Sequence, residues 1–316
     1  MSNSRTKVGA SSVRTLSAQS ASAGSAAPDA SPAAHEGKLI VCPTPIGNLS
    51  DMPPRAIDAL ESCDAVCAED TRVTGKLLAA FGIEKRLERL DEALIGSRAE
   101  SIIDRVLTGE VIAYCSDAGM PGVSDPGLRL VATAHEAGAP VEVLPGPTAV
   151  STAYVASGCT NPRFYFGGFF PRKTAEQQRT LEGLRALDAA LIFYESPNRI
   201  AAATVAIASA FPQRNVAVCR ELTKLHEEVI FGLSGEVRDE LAAREAAGSI
   251  KGEIVIVIDG PNDAEQAAMA EMAIDSAHDR AAELLDAGEM SRKDIVKLLQ
   301  KEFGISRNKA YDLTVN

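Results

Sequence analysis

Residues 111–127 read VIAYCSDAGMPGVSDPG, and this stretch decides the fold. It opens with Val111–Cys115, an apolar run typical of a fully buried strand. The next twelve residues include three glycines and two prolines, which exclude a helix or a second strand there. Helical spacing resumes at Leu128. We therefore predict a strand, a long shaped loop and a helix, as in open α/β sheets, where ligands bind beyond the carboxyl ends of the strands.

The loop within this stretch has features of a ligand site. Asp117 is its first charged residue and can accept hydrogen bonds from hydroxyl or amino groups. Glycines allow the backbone to approach a ligand closely, and a bare connection needs only about two to six residues. We therefore interpret Asp117 and the loop glycines as ligand-binding. For Asp125 we favour a structural role, capping the next helix with Pro126 at its first position.

The rest of the chain continues the alternation of strands and helices. From Lys38 to Ser157 the pattern predicts a parallel-rich sheet with helices on both faces. A second α/β domain with a mixed sheet is predicted from the aromatic segment Arg163–Phe170 onward, and the chain after Pro261 is predicted to be all-helical. The predicted segments are a disordered tail at 1–36, an N-terminal α/β domain at 37–158, a C-terminal α/β domain at 159–260 and a basic helical region at 261–316.

Composition narrows the class of protein. The chain has 316 residues, which suggests about two domains, and no apolar run approaches the roughly 18 residues of a membrane span. Its six cysteines form no CxxC pair, and its four histidines are scattered, so we predict buried, reduced cysteines, no metal site and a cytoplasmic location. The Ser- and Ala-rich residues 1–36 are typical of a disordered tail or of a transit segment; we favour the tail.

The C-terminal segment is locally basic, although the formal net charge of the chain is −11. Apolar residues spaced from Ile295 to Leu299 predict an amphipathic helix capped by Ser291. A turn at Gly304 and a second helix complete a helix-turn-helix shape. The segment is either a pair of solvated helices or an RNA contact. Its basic residues are Arg292, Lys293, Lys297, Lys301, Arg307 and Lys309.

Six short motifs that follow one another along the chain indicate a protein family. These are TPIGNLSD (Thr44–Asp51), AEDTR (Ala68–Arg72), SDAGMPGVSDPG (Ser116–Gly127), LPGPTA (Leu144–Ala149), FYESPNR (Phe193–Arg199) and RELTKLHEE (Arg220–Glu228). In this order the set resembles the ribosomal RNA small subunit methyltransferase I family, within the tetrapyrrole methylase fold class. The resemblance covers about residues 38–316 and leaves out the Ser- and Ala-rich leader.

The resemblance implies two α/β domains with S-adenosylmethionine (SAM) in the cleft between them. It implies 2′-O-methylation of a cytidine ribose in 16S ribosomal RNA, on free RNA or on the small ribosomal subunit, and a homodimer. Small-molecule relatives typically carry Gly-Asp-Pro where this chain has Ser116-Asp117-Ala118, which favours the RNA branch. Carried over by motif, the cofactor contacts would be Pro45, Asp117, Gly119, Val123, Thr148, Ala149, Tyr194 and Leu222.

The implied reaction needs a positioned donor and acceptor, and a ribose hydroxyl reacts more readily when a base removes its proton. Asp70, Glu195 and Glu221 each end a predicted strand and are candidate catalytic bases. Arg72 and Arg199 can hold an RNA phosphate bidentately, although these charges can equally form interdomain ion pairs. The predicted RNA contacts are Arg72, Arg199, Arg292, Lys293, Arg307 and Lys309.

Two other functions compete with this interpretation. A small-molecule methyltransferase acting on a tetrapyrrole would leave the basic C-terminal helices unexplained. A non-enzymatic RNA-binding protein that reuses the fold would bind no SAM, which calorimetry would reveal.

Overall fold

The structure is a computed structural model that describes residues 37–248 and 250–315. The predicted disordered tail at 1–36 lies outside the described residues. The chain divides into two compact units between residues 149 and 150. In the described part of the chain, no helix is both long enough and apolar enough to span a membrane.

The first unit is built on a sheet of five parallel strands. Its strands are β1 (Lys38–Val41), β2 (Ala65–Ala68), β3 (Leu87–Arg89), β4 (Val111–Cys115) and β5 (Val141–Val143). They lie in the order β3-β2-β4-β1-β5, which makes β4 the central strand. Strand β4 is buried from Ile112 to Cys115, as a continuous apolar run in a doubly covered parallel sheet requires.

Helices cover both faces of this sheet. They are α1 (Pro54–Ser62), α2 (Thr71–Ala80), α3 (Glu92–Leu107) and α4 (Gly127–Ala137). Alternate residues of β4 point to opposite faces: Tyr114 packs in the cluster that includes α3 and α4, whereas Ala113 and Cys115 pack in the cluster that includes α1 and α2. The predicted parallel sheet with helices on both faces is therefore confirmed.

The second unit contains a mixed sheet, also as predicted. Its strands are β6 (Phe164–Phe169), β7 (Ala190–Glu195), β8 (Asn215–Arg220), β9 (Glu228–Leu233) and β10 (Ile254–Ile258). Their order is β6-β7-β10-β8-β9. Strands β6 and β7 are parallel, and the other neighbours are antiparallel. Strand β10 therefore lies between β7 and β8 and runs against both.

The helices of the second unit are α5 (Ala149–Ala156), α6 (Thr174–Leu184), α7 (Ile200–Ala210), α8 (Ser234–Ala247), α9 (Asp263–Ala287), α10 (Arg292–Phe303) and α11 (Arg307–Asp312). Residues of α6, α7 and α8 pack on one sheet face around Phe193 and Ile256. Helices α9 to α11 share a small core around Ala281, Ile295 and Ala310. Ser291 caps α10 as predicted.

The compact units of the structure differ in two respects from the predicted segments. The structure groups most of α5 with the second unit, upstream of the predicted boundary at 158, and it groups helices α9–α11 with the same unit. Buried Arg214 explains part of this grouping. Its Nε lies 3.1 Å from Glu265 Oε2 at the start of α9, and its guanidinium stacks on Phe211 at 4.2 Å. A separate C-terminal domain remains a prediction.

Candidate active site

Three of the predicted motifs meet at the carboxyl end of β4. Thr44 and Gly119 form an antiparallel bridge, with N–O distances of 3.0 and 3.1 Å. Thr44 Oγ1 also donates to the carbonyl of Ser116 at 3.4 Å. A Cβ atom on Gly119 would lie 3.5 Å from the carbonyl oxygen of Pro147. The loops that follow β1, β4 and β5 therefore form one packed cluster.

Gly119 occupies a position that only glycine fills without strain. Its φ is +80°, in the left-handed region. An added Cβ would also lie 3.1 Å from Ile46 Cγ2, which is tighter than ordinary van der Waals contact. Both the backbone conformation and the neighbouring atoms therefore require a residue without a Cβ at position 119.

Asp117 is tied to the end of β2 by two hydrogen bonds. Its Oδ1 accepts from Asp70 N at 2.9 Å, and its own N–H donates to Glu69 Oε2 at 3.4 Å. Although Asp117 reaches solvent, partial burial of its carboxyl raises its pKa, and burial likewise raises the pKa of Glu69. The two neighbouring carboxyls therefore hold protons more readily than free side chains do.

Asp70 and Arg72 form an ion pair within the first unit. Arg72 Nη2 lies 2.5 Å from Asp70 Oδ2, and Asp70 Oδ1 also accepts from Arg72 N at 2.8 Å as the cap of α2. The hydrogen bonds from Arg72 hold the pKa of Asp70 far below its usual range. The pair that the sequence left open as interdomain is local, and Asp70 is a weak proton acceptor.

Asp125 has the structural role that the sequence predicted, with a shifted helix start. Its carboxylate accepts from Gly122 N at 2.8 and 2.9 Å and from Gly127 N at 2.8 Å. Pro126 is the cap residue of α4 rather than its first residue, because the helix begins at Gly127. One carboxylate thus closes the loop and starts the helix.

In the second unit, Tyr194 and Glu195 point to opposite faces of the sheet. Tyr194 packs edge-on against Phe166 and Phe169, with ring centroids 4.9 and 5.5 Å apart. Glu195 pairs with Ile254 across the β7–β10 ladder and shares the helix-covered face of that residue. The two residues therefore cannot line the same surface of the sheet.

Glu195 is bonded to its own loop. Arg199 Nη2 donates to the Glu195 carboxylate and, at 3.1 Å, to the carbonyl of Phe170. Glu195 Oε1 also accepts from Ser196 N at 2.5 Å. Glu195 Oε2 and Arg199 Nη1 are buried without a hydrogen-bond partner among the described residues. The Glu195–Arg199 pair is thus also local to one unit, and it fixes the loop after β7.

Glu221 lies on a strained turn after β8. Its φ is +51°, unusual for a side-chain-bearing residue. Its Oε1 accepts from Lys224 Nζ and from Glu253 N, each at 2.9 Å, and the Lys224 bond lowers the pKa of Glu221. Gly252 allows this approach, since a Cβ there would lie 2.5 Å from Glu221 Cγ. The next residue, Leu222, is buried.

The remaining predicted site residues lie in or beside the loops of the first unit and in the C-terminal helices. Pro45, Val123, Thr148 and Ala149 are half-buried in or beside the loop cluster of the first unit. The predicted RNA contacts of the C-terminal helices are exposed, and they are Arg292, Lys293, Arg307 and Lys309. Among the described residues, no group of His, Cys, Asp or Glu side chains is arranged to hold a metal ion.

Comparisons with known proteins now define the family. The family model described as Tetrapyrrole (Corrin/Porphyrin) Methylases matches residues 38–238. A Bacillus subtilis protein named ribosomal RNA small subunit methyltransferase I is 42% identical over 229 residues, which are 72% of this chain and 77% of that protein. The chain belongs to the ribosomal RNA small subunit methyltransferase I family. The resemblance inferred from the motifs is therefore confirmed.

Further members of this methyltransferase family match over a longer stretch. The Escherichia coli O157:H7 protein is 37% identical over 278 residues, or 87% of this chain and 94% of that protein. The Neisseria meningitidis serogroup A protein is 35% identical over 280 residues, or 89% and 94%. Among solved structures, diphthine synthase superposes with a TM-score of 0.56 at 13% identity, covering 73% of this chain and 93% of that chain. That structural likeness shows the tetrapyrrole methylase fold.

Glu69 of this methyltransferase is a further candidate site residue. Of the neighbouring carboxylates Glu69 and Asp70, only Asp70 was predicted from the sequence. In the structure the Glu69 carboxylate accepts a hydrogen bond from the backbone N–H of Asp117, whereas the Asp70 carboxylate forms an ion pair with Arg72. The signal in the sequence was the position of Glu69 directly after the buried strand β2, at the edge of the sheet where Asp117 follows β4.

Proposed function

We propose that this chain transfers a methyl group from SAM to the ribose 2′-hydroxyl of a cytidine in 16S ribosomal RNA. The observation that carries the proposal is the 35–43% identity to proteins named ribosomal RNA small subunit methyltransferase I. This identity extends over at least 71% of the chain in each of these matches. A methyltransferase of small tetrapyrroles is disfavoured, because that name does not occur among these relatives.

The loop cluster of the first unit fits SAM. Ser116 Oγ is buried there without a hydrogen-bond partner in the described part of the chain, and the exposed Asp117 carboxylate beside it can accept hydrogen bonds. When bound, SAM supplies an electrophilic methyl group on a sulfonium. We propose that Asp117 accepts hydrogen bonds from its ribose. The proposed contacts also include Pro45, Gly119, Val123, Thr148, Ala149, Tyr194 and Leu222.

Among the candidate bases, Glu221 is the one we favour. Asp70 is held by Arg72, and Glu195 points to the face of its sheet opposite Tyr194. The Lys224 bond lowers the pKa of Glu221 as well, but both bonds to this carboxylate reach Oε1, which leaves Oε2 to take a proton from the ribose hydroxyl. By contrast, both oxygens of Asp70 are bonded to the Arg72 guanidinium. Because a positioned base typically contributes about 10²–10⁴-fold, Glu221→Gln should lower kcat by about 100-fold or more and leave SAM affinity unchanged.

We propose that RNA phosphates meet the exposed basic residues. The Arg72 side chain is 85% exposed, so it can reach a phosphate while bonded to Asp70. Arg199 is half-buried and already bonded to Glu195 and Phe170, so a phosphate contact there requires the Glu195 pair to open. The C-terminal contacts proposed with Arg72 are Arg292, Lys293, Arg307 and Lys309.

The proposal includes both free RNA and the assembled small subunit as substrates, and the proposed cellular location is the cytoplasm. We also propose a homodimer, as the motif resemblance implies. Both the location and the oligomeric state can be measured separately from the reaction, by fractionation of cells and by light scattering of the purified chain.

The deciding experiment uses the purified full chain, labelled SAM and small ribosomal subunits from cells that lack the gene. We expect label on RNA and one new alkali-resistant linkage at a cytidine, because 2′-O-methylation blocks cleavage at that ribose. Methylation confined to a base would overturn the proposal. Transfer to a tetrapyrrole with no transfer to RNA would favour the small-molecule reaction. Absence of SAM binding in calorimetry would favour a non-enzymatic RNA-binding protein.

A further inference from the structure

The loop between β8 and β9 has an unusual backbone. Among the described residues, Glu221 and Thr223 are the non-glycine residues with positive φ, at 51° and 67°. Left-handed conformations are unfavourable for residues with a Cβ, and they persist only where the surroundings hold them. This loop is residues 221–227, and we call it the strained loop.

Internal bonds hold the strained loop in one conformation. Lys224 N donates to the carbonyl of Glu221 at 3.0 Å, and Glu227 N donates to the carbonyl of Lys224 at 3.1 Å. Thr223 N donates to Glu227 Oε2 at 2.5 Å. Lys224 Nζ bridges Glu221 and Glu253 at 2.9 and 3.1 Å. The loop is therefore built as a rigid support rather than as a simple connection.

The support presents an apolar side chain to solvent. Leu222 at its base is 6% exposed, whereas Leu225 at its tip is 93% exposed, the highest value among the large hydrophobic residues described. His226 beside it is exposed as well. A strained, well-bonded loop that displays a leucine and an imidazole is expected at a contact surface, because strain and exposed apolar groups concentrate at functional sites.

We propose that Leu225 and His226 recognise unstacked nucleobases of the RNA substrate next to the methylated cytidine. The proposal rests on the proposed function. Sequence-specific RNA recognition relies on bases splayed from their stack onto aromatic or imidazole rings, and apolar side chains can enter the space that such bases leave. His226 would stack on a base, and Leu225 would fill the neighbouring gap.

The charges of the strained loop favour contact with bases over contact with phosphates. Its cation, Lys224, is already paired with Glu221 and Glu253. The carboxylate of Glu227 lies at the same tip, bonded to Thr223 N, and would repel a phosphate. Base faces are uncharged, so they can approach this tip without that repulsion.

The test compares the full chain with His226→Ala, His226→Phe and Leu225→Ser. Val205→Ala is the matched control, because Val205 is a 54% exposed apolar residue on α7 of the same unit. Each protein is assayed for SAM affinity by calorimetry and for kcat and KM on small ribosomal subunits from cells that lack the gene. The Phe variant keeps a stacking face and therefore separates stacking from a merely structural role.

We expect His226→Ala to lower kcat/KM about 5–150-fold, the range for loss of one base stack, and Leu225→Ser to lower it about tenfold through loss of apolar burial. His226→Phe should stay within about threefold of the parent. SAM affinity and the control should be unchanged. If the parent methylates RNA and His226→Ala matches the control, the inference alone is overturned. Failure of His226→Phe to restore activity, or weaker SAM binding in the tip variants, also overturns it. If the parent labels no ribose, the proposed function fails, and the inference fails with it.

Discussion

The loop after β4 and the strained loop after β8 both use left-handed backbone, but with different residues. In the loop after β4 the positive φ values fall on Gly119 and Gly122, at 80° and 92°. In the strained loop they fall on Glu221 and Thr223. Glycine adopts this conformation without steric cost, whereas other residues lose about 1–2 kcal/mol each. The loop after β4 is therefore free of left-handed backbone strain, whereas the strained loop contains it at two residues.

The difference predicts opposite vulnerabilities. The loop after β4 requires residues without a Cβ at Gly119 and Gly122, so a Cβ added there should distort the loop. The strained loop depends on Lys224, Glu227 and Glu253 to hold an unfavourable backbone, so a glycine should relax it. Substitution at these positions therefore tests whether each loop is held together in the way we infer.

The largest effect is expected for Gly119→Val. The substitution adds left-handed strain of about 1–2 kcal/mol and packing strain of about 1–3 kcal/mol, because a Cβ would lie 3.1 Å from Ile46 Cγ2. We expect the loop to shift to relieve this strain and thereby to lose at least about 1.4 kcal/mol of SAM binding energy, which is a tenfold loss of affinity. Calorimetric titration with SAM measures this loss.

The control for Gly119→Val is Gly138→Ala, at the carboxyl end of α4. Gly138 has a similar φ of +73°, but a Cβ added there would have no neighbouring atom within 4 Å. The substitution should lower the stability by about 1–2 kcal/mol and leave SAM affinity unchanged. Equal SAM affinities for the two variants would show that the bare backbone at Gly119 does not serve the cofactor.

Asp125→Ala should have the next largest effect. It removes the carboxylate that accepts from the amides of Gly122 and Gly127, and each amide left without a partner costs about 1–3 kcal/mol if it stays buried. We expect a lower melting temperature and weaker SAM binding. Asp125→Asn keeps one acceptor oxygen and should lie between the parent and Asp125→Ala in calorimetric unfolding. An Asn variant as unstable as the Ala variant would contradict this account.

These two loops also show how far the sequence can be interpreted alone. The loop of the first unit was predictable because glycine and proline mark turns by their own backbone preferences. The same local signals gave β4 and the order of strands and helices. The left-handed backbone at Glu221 and Thr223 was not predictable, because neither residue favours it and the bonds that enforce it reach Glu253, far along the chain.

The candidate site was predictable to a similar extent. Motif order predicts that Asp117 and Gly119 belong to a ligand-binding loop, which stays a prediction, and the structure groups this loop with two other motifs. The sequence could not show that the Asp70 carboxylate is paired with Arg72. Nor could it show that Glu195 and Tyr194 point to opposite faces of the sheet. Those facts depend on side-chain geometry and on the exact end of a strand, which local patterns leave undetermined.

Thr223→Gly should have a smaller effect of opposite sign on stability. It removes left-handed strain of about 1–2 kcal/mol and adds backbone entropy of about 0.5–1 kcal/mol, so a net gain of about 0.5 kcal/mol is expected. The melting temperature of the second unit should rise by about 1–2 °C. Thr133→Gly within helix α4 is the control and should lower stability by about 0.3 kcal/mol, the difference in helix propensity between the two residues. A Thr223→Gly variant less stable than the parent would contradict strain at this position.

The smallest effect concerns pH, and it also differs between the two loops. Burial raises the pKa values of Glu69 and Asp117, so the folded first unit binds these protons more tightly than the unfolded chain does. Their contribution to stability therefore grows as the pH falls through the raised folded values. Lys224 lowers the pKa of Glu221, so its contribution is present above its unfolded value and is lost as the pH falls below it.

Carbon-13 NMR titration of labelled carboxyls tests this contrast directly. We expect Glu69 to titrate above, and Glu221 below, the ordinary glutamate value of about 4.3. In Lys224→Met the pKa of Glu221 should move upward, because its strongest hydrogen-bond donor is gone, while that of Glu69 in the other unit should not move. If the pKa values of Glu69 and Glu221 were shifted in the same direction from the ordinary value, the two carboxylates would have similar electrostatic environments. That result would contradict the inference that ionic bonds hold the strained loop but not the loop after β4.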